Sequence, residues 1–122
     1  MSSEYEGRVR LVCEKFRTLD MNKIETCFTD DVIVHYNQLA PIYGKNMLLD
    51  FLTPRYRLLM DYQLEKQIIV TEGNRVCVDV RAEYINKETG KRYKSKIFEI
   101  LTFHGEAISQ WDYVGHSEEI IS

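Results

Sequence analysis

The sequence predicts an α+β domain in which helices of the N-terminal half pack on a strongly curved, mostly antiparallel sheet. Three observations predict it. Apolar residues recur at helical spacing before Tyr62 and switch to a two-residue period after it. Turn-forming clusters at 72–74, 86–91 and 104–106 then cut the second half into four consecutive strands. Helices segregated from a meander of strands define the α+β layout.

The first helix opens on Ser3 and Glu6, spaced as a capping box, and buries Tyr5, Val9, Val12, Cys13, Phe16 and Leu19. A short second helix is expected from about Asn22, carrying Ile24, Cys27 and Phe28, and is stopped by Thr29-Asp30-Asp31. Residues 32–36 form a strand ending in His35 and Tyr36, and residues 37–43 form a loop. A third helix follows Gly44 and buries Leu48, Phe51 and Leu52. Pro54 lacks an N–H, so Thr53-Pro54 is expected to cap a short kinked extension running through Met60. The strands then span 62–71, 76–85, 92–104 and 107–114, and in the second of them Val76, Val78, Val80, Ala82 and Tyr84 make one apolar face.

Composition narrows the function classes. The 122 residues suffice for one domain, 1–122, and 44% of them are hydrophobic. A net charge of −3 gives no general attraction to nucleic acid or anionic membrane, and the basic cluster Lys91, Arg92, Lys94 and Lys96 reads as a solvated hairpin. No apolar run approaches the ~18 residues a membrane span needs, and the charged N-terminus has no signal-like segment. Three scattered cysteines, Cys13, Cys27 and Cys77, suit a reduced, cytoplasmic protein. His35, His104 and His116 lack ligand spacing, so no metal is expected, and no Gly-rich phosphate cradle is present.

The order of elements, with "TCFTDDVIVHY", "IYGK" before the third helix and the closing "FHGEAISQWDYVG", resembles the nuclear-transport-factor-2-like superfamily, and within it the SnoaL-like and ketosteroid-isomerase-like branch. The resemblance runs from about Gly7 to Val114 and implies a cone-shaped barrel enclosing a pocket, often in a homodimer packed through its sheet. Ketosteroid isomerases use carboxylic acids whose proton affinity is tuned by their surroundings. The isomerase base position falls on Tyr36 and the helix-one tyrosine on Phe16, while the later acid has a counterpart in Glu99. SnoaL-type cyclases carry an Asp where this chain has Gly115. An epoxide-hydrolase-like Asp-Arg-Asp set does not assemble, because Asp79 and Arg81 share an outward face. Fold alone does not set function in such a superfamily.

Glu99 stands out because it sits in Ile97-Phe98-Glu99-Ile100-Leu101, apolar on both faces, with the parity of Ile97, Leu101 and Phe103. An unpaired buried carboxylate is costly, so without a cation Glu99 is expected to keep its proton. It is then either a structural acid or a donor to a ligand. His35 is the candidate base, with Tyr36 and Glu99 polarising a carbonyl. Phe16, Tyr56, Met60, Tyr84, Trp111 and Tyr113 are expected to line a cavity for a small apolar or aromatic molecule. The expected function is cofactor-independent proton-transfer chemistry, an isomerisation or cyclisation. The alternative is a non-catalytic binding or dimerisation module. Phe98, Ile100 and Thr102, facing outward, are expected to bury against a second copy.

Overall fold

The computed structural model describes residues 2–121 of the chain, with side chains from residue 4 onward. Helix α1 runs Ser2–Arg17, and Val9, Val12, Cys13 and Phe16 form its buried stripe. The capping box expected there involves Ser3, whose side chain lies outside the described residues. A short helix α2, Met21–Ile24, is capped by Asp20, whose carboxylate accepts from the Asn22 N–H at 2.9 Å. This helix is shorter than expected. A 3-10 turn, Glu25–Cys27, ends it, and Phe28 already belongs to strand β1, Phe28–Tyr36. Ile42–Tyr43, expected in a loop, forms a two-residue strand β2 against β1.

Helix α3 spans Lys45–Tyr56 without a break at Pro54. The proline sits in the last turn, where its missing N–H orphans only the Asp50 carbonyl. One turn back, the Thr53 hydroxyl accommodates the Leu49 carbonyl at 2.7 Å. The extension expected through Met60 is therefore absent, and Met60 belongs to strand β3, Leu59–Glu72. Strands β4 (Arg75–Asn86), β5 (Arg92–His104) and β6 (Ala107–Glu119) complete the meander. β6 runs five residues past its expected end because its polar tail pairs with the basic start of β5, where Lys94–Glu118 and Lys91–Glu119 approach to 3.6 and 3.3 Å.

The six strands form one curved sheet in the order β2-β1-β6-β5-β4-β3, antiparallel except for the β1–β6 pair. That parallel pairing places Val34 beside Trp111 and Tyr36 beside Tyr113. Register and alternation together decide the inner face. Val78, Glu99 and Tyr113 lie side by side on it, as do Val76, Leu101 and Trp111, and Val80, Ile97 and Gly115. The helices cover this face, leaving Val76, Val78, Val80, Leu101, Phe103 and Ile108 buried in the core. No helix among the described residues is long and apolar enough to cross a membrane.

Candidate functional site

The inner face of the sheet and the ends of α1 and α3 enclose a cavity of about 260 Å³. Trp111 lines it, with Phe16 packed edge-on at 6.1 Å and Phe28 tilted against it at 5.7 Å. Tyr36 and Tyr113, neighbours across β1 and β6, stack face to face with centroids 3.8 Å apart and planes 9° apart. Tyr56, Tyr62 and Tyr84 continue the wall. Burial pushes the Tyr56 and Tyr62 hydroxyls well above the ordinary tyrosine range. It does the same to Tyr113, where the neighbouring Tyr36 adds to the effect. Tyr36 also rises through burial, against a hydrogen bond with Tyr113 that pulls it back. These phenols are therefore protonated at neutral pH and present donors to the cavity.

Glu99 lies at the inner end, 3% exposed, and both its oxygens are engaged. Lys66 Nζ reaches Oε1 at 2.5 Å, and the Trp111 indole N–H donates to Oε2 at 3.0 Å. The expectation of a protonated Glu99 applied to a site without a cation, and the structure supplies one. The Lys66 side chain is 4% exposed, with its ammonium 5.6 Å from the centre of the Phe16 ring. Lys66 escaped the sequence reading, although its parity with Leu64 and Ile68 placed a charge on an apolar face. Tyr62 shares that parity and was missed as well. Arg55 lines the open end of the cavity, its guanidinium 4.1 Å from the centre of the Phe51 ring and 5.6 Å from that of Tyr36.

Of the residues expected at a site, Tyr36, Glu99, Phe16, Tyr56, Tyr84, Trp111 and Tyr113 all line this cavity. Two do not. Met60 is exposed because an extra residue bulges β3 between Met60 and Gln63, where Asp61 adopts φ +52. The bulge reverses the alternation, so Leu59 and Tyr62 face inward instead. His35, expected to face the ligand, points outward. Its side chain is 46% exposed and its Nδ1 lies 2.8 Å from Asp112 on the neighbouring strand. One residue along the chain inverts the face, which is why His35 and Tyr36 part company.

Asp79 and Arg81 pair with each other at 3.1 Å, with the Arg81 side chain largely exposed, so no Asp-Arg-Asp set enters the cavity. Gly115, where the sequence resemblance leads one to expect an Asp, lies on the inner face beside Ile97. A Cβ built there would lie 2.5 Å from Ile97 Cγ1 and 2.9 Å from the Lys96 carbonyl oxygen. No side chain fits at that point without moving the strands apart. Among the described residues, no group of three or more His, Cys, Asp or Glu side chains converges as a metal site would require.

A curved sheet wrapped on a long helix, with the cavity between them, defines a nuclear-transport-factor-2-like cone. Residues 9–111 match the SnoaL-like domain family, and the chain belongs to it. Solved structures agree on the fold. A protein with a ketosteroid isomerase-like fold from Catenulispora acidiphila superposes with a TM-score of 0.75 at 13% identity, over 90% or less of either chain (88% of this one, 83% of that). An epoxide hydrolase of the LEH-like type from M. tuberculosis gives 0.71 at 13% identity, over 87% and 77%. SalBIII, an epoxide hydrolase/cyclase-like enzyme with a role in pyran ring formation in polyether salinomycin, gives 0.74 at 18% identity, over 92% of each chain. No curated protein sequence is significantly similar to the chain.

Proposed function

We propose that the chain binds a small, flat, largely apolar molecule bearing a carbonyl or hydroxyl oxygen, inside the cone. The observation that carries this reading is a tyrosine-lined cavity with the Lys66–Glu99 pair at its inner end. Ring faces contribute apolar and stacking contacts, and protonated phenols donate to an acceptor oxygen. A volume of about 260 Å³, just below the roughly 300–1,000 Å³ typical of ligand sites, suits one or two fused rings rather than four.

Proton-transfer chemistry in the same cavity is the second reading, favoured by the buried carboxylate of Glu99. In that reading Glu99, with Lys66 beside it, handles the proton, and the tyrosines polarise the ligand oxygen. His35 takes no part, since it lies on the opposite side of the sheet. The solved neighbours include an epoxide hydrolase and a cyclase-like enzyme, which keeps carbon–oxygen chemistry within the fold's range.

Thermal melts with 2-naphthol test binding. A ligand held only by the folded state raises the melting temperature with the logarithm of its concentration above Kd. Ala82 faces the cavity, so Ala82→Trp should fill it and abolish the rise. An unchanged melting temperature in the parent, or an equal rise in both proteins, would refute binding in the cone.

A further inference from the structure

The cavity of a protein with net charge −3 carries the opposite sign. Its charged lining residues are Lys66 and Arg55 against Glu99 alone, a local balance of +1. The two cations are not equivalent. Lys66 is buried and neutralised by Glu99. Arg55 is exposed at the open end, and among the described residues its guanidinium has no ion-pair partner. It is held over the Phe51 and Tyr36 rings, which fix its position without neutralising it.

The inner end supplies a second asymmetry. An ammonium has three N–H donors, and among the described residues Lys66 Nζ hydrogen-bonds one acceptor, Glu99 Oε1. Buried donors left without acceptors are costly, and this ammonium borders the cavity. A ligand that satisfies both ends has an uncharged acceptor oxygen deep in the cone and an anionic group at the mouth. The reverse orientation would bury the anion beside the Glu99 carboxylate, where desolvation and like charge both oppose it.

Resting on the binding reading above, we infer that the ligand is a flat aromatic monoanion, with its carboxylate at Arg55 and a hydroxyl or carbonyl oxygen at Lys66. Carboxylate and guanidinium match as a bidentate pair, and the mouth leaves both partly hydrated, so the charge pays little desolvation there. The exposed position also makes the contribution salt-sensitive.

Isothermal titration with 6-hydroxy-2-naphthoate and with 2-naphthol tests the inference, because the two differ only in the carboxylate. The acid should bind about tenfold more tightly at low salt. Arg55→Gln should bring its affinity down to that of the naphthol, and Arg55→Glu should lower it further. Circular dichroism and melting of both variants check that they fold. Equal binding of acid and naphthol by the parent would overturn the inference while leaving the binding reading standing. So would an acid preference that persists in Arg55→Gln. Binding of neither compound would overturn both.

Discussion

Lys66 and Glu99 form an ion pair across the inner face of the sheet, one on β3 and one on β5, with Val78 and Val80 of β4 between them. Their side chains are 4% and 3% exposed, so neither charge has water to fall back on. Removing one partner leaves the other buried and unpaired. Glu99→Leu is therefore expected to lose about 3–5 kcal/mol of stability. This reverses the expectation for an isolated protonated acid, for which Leu would be neutral or stabilising. The double variant Lys66→Met, Glu99→Leu removes both charges and should recover most of that loss, since a buried pair is often replaceable by apolar residues. It leaves the Trp111 indole N–H without its acceptor, at a residual cost of about 1–3 kcal/mol. Urea denaturation of the two single variants and the double variant gives the coupling directly. Additive losses would show that the pair is not coupled.

Gly115 and Ile97 define the second prediction. The cross-strand approach leaves a Cβ at position 115 only 2.5 Å from Ile97 Cγ1 and 3.0 Å from Ile97 Cα. A flexible side chain can yield, but the Ile97 Cα and the Lys96 carbonyl are backbone. Gly115→Ala should therefore cost about 1–3 kcal/mol, as overpacking does, and Gly115→Asp more. An acid introduced at position 115 would thus strain the barrel before it could contribute chemistry. Melting temperatures of the two variants equal to that of the parent would contradict the steric account.

Much of this architecture is legible in the chain, and the failures have physical causes. The alternation Val76, Val78, Val80, Ala82 marks an inner face because these strands are regular and one-sided, and the same parity puts Glu99 inside. The two-residue β2 has too few residues to show a period, and it exists because β1 offers it an edge. The bulge near Asp61 was illegible for another reason. It requires a positive φ at a residue that is not glycine, and it puts Met60, expected to line the cavity, on the exposed side. The tail of β6 is polar, so only the complementary charges of β5 reveal it as strand. His35, which faces outward, and Lys66, which faces inward, illustrate one rule: chemistry at a strand position is useful only on the face where the cavity lies.

The buried phenols and thiols set the pH dependence. Burial raises Cys27 to about 11 and also raises Cys13, while Tyr36, Tyr56, Tyr62 and Tyr113 all rise above the ordinary tyrosine value. In the unfolded chain thiols ionise near about 8.5 and phenols near about 10. Above those values the unfolded state binds fewer protons than the folded one, so stability falls as pH rises. The contribution is fully present below about pH 8.5. It declines first through the two thiols, and more steeply once pH passes about 10, where the four phenols join them. Denaturant midpoints should be level from pH 7 to 8 and collapse between about pH 10 and 12. The last part of the tyrosinate absorbance should appear only with unfolding. A midpoint unchanged at pH 11, or all eight tyrosines ionising while the protein stays folded, would contradict this account.

The outer face of the sheet carries the last prediction. Phe98 and Val114 are direct partners across β5 and β6, and both point away from the cavity, 44% and 68% exposed. Lys96 lies over the Phe98 ring at 5.7 Å and covers one side of it. Ile100, half-buried on the same face, extends the apolar strip toward Asp112 and His35. We propose that two copies associate through this face about a two-fold axis, each Phe98–Val114 patch meeting its equivalent. A stable contact of this kind needs about 1,200–2,000 Å² of total buried surface, so the polar rim formed by Asp79, Gln110 and the His35–Asp112 pair must join the apolar centre. Val114→Lys places a charge at that centre without touching the cone. It should shift the protein from dimer to monomer in light scattering at high micromolar concentration, with circular dichroism and 2-naphthol binding retained. His35→Gln, at the rim, should weaken association by no more than about 1 kcal/mol, as exposed ion pairs do. A parent that scatters as a monomer at that concentration would end the proposal, and so would a Val114→Lys variant that stays dimeric.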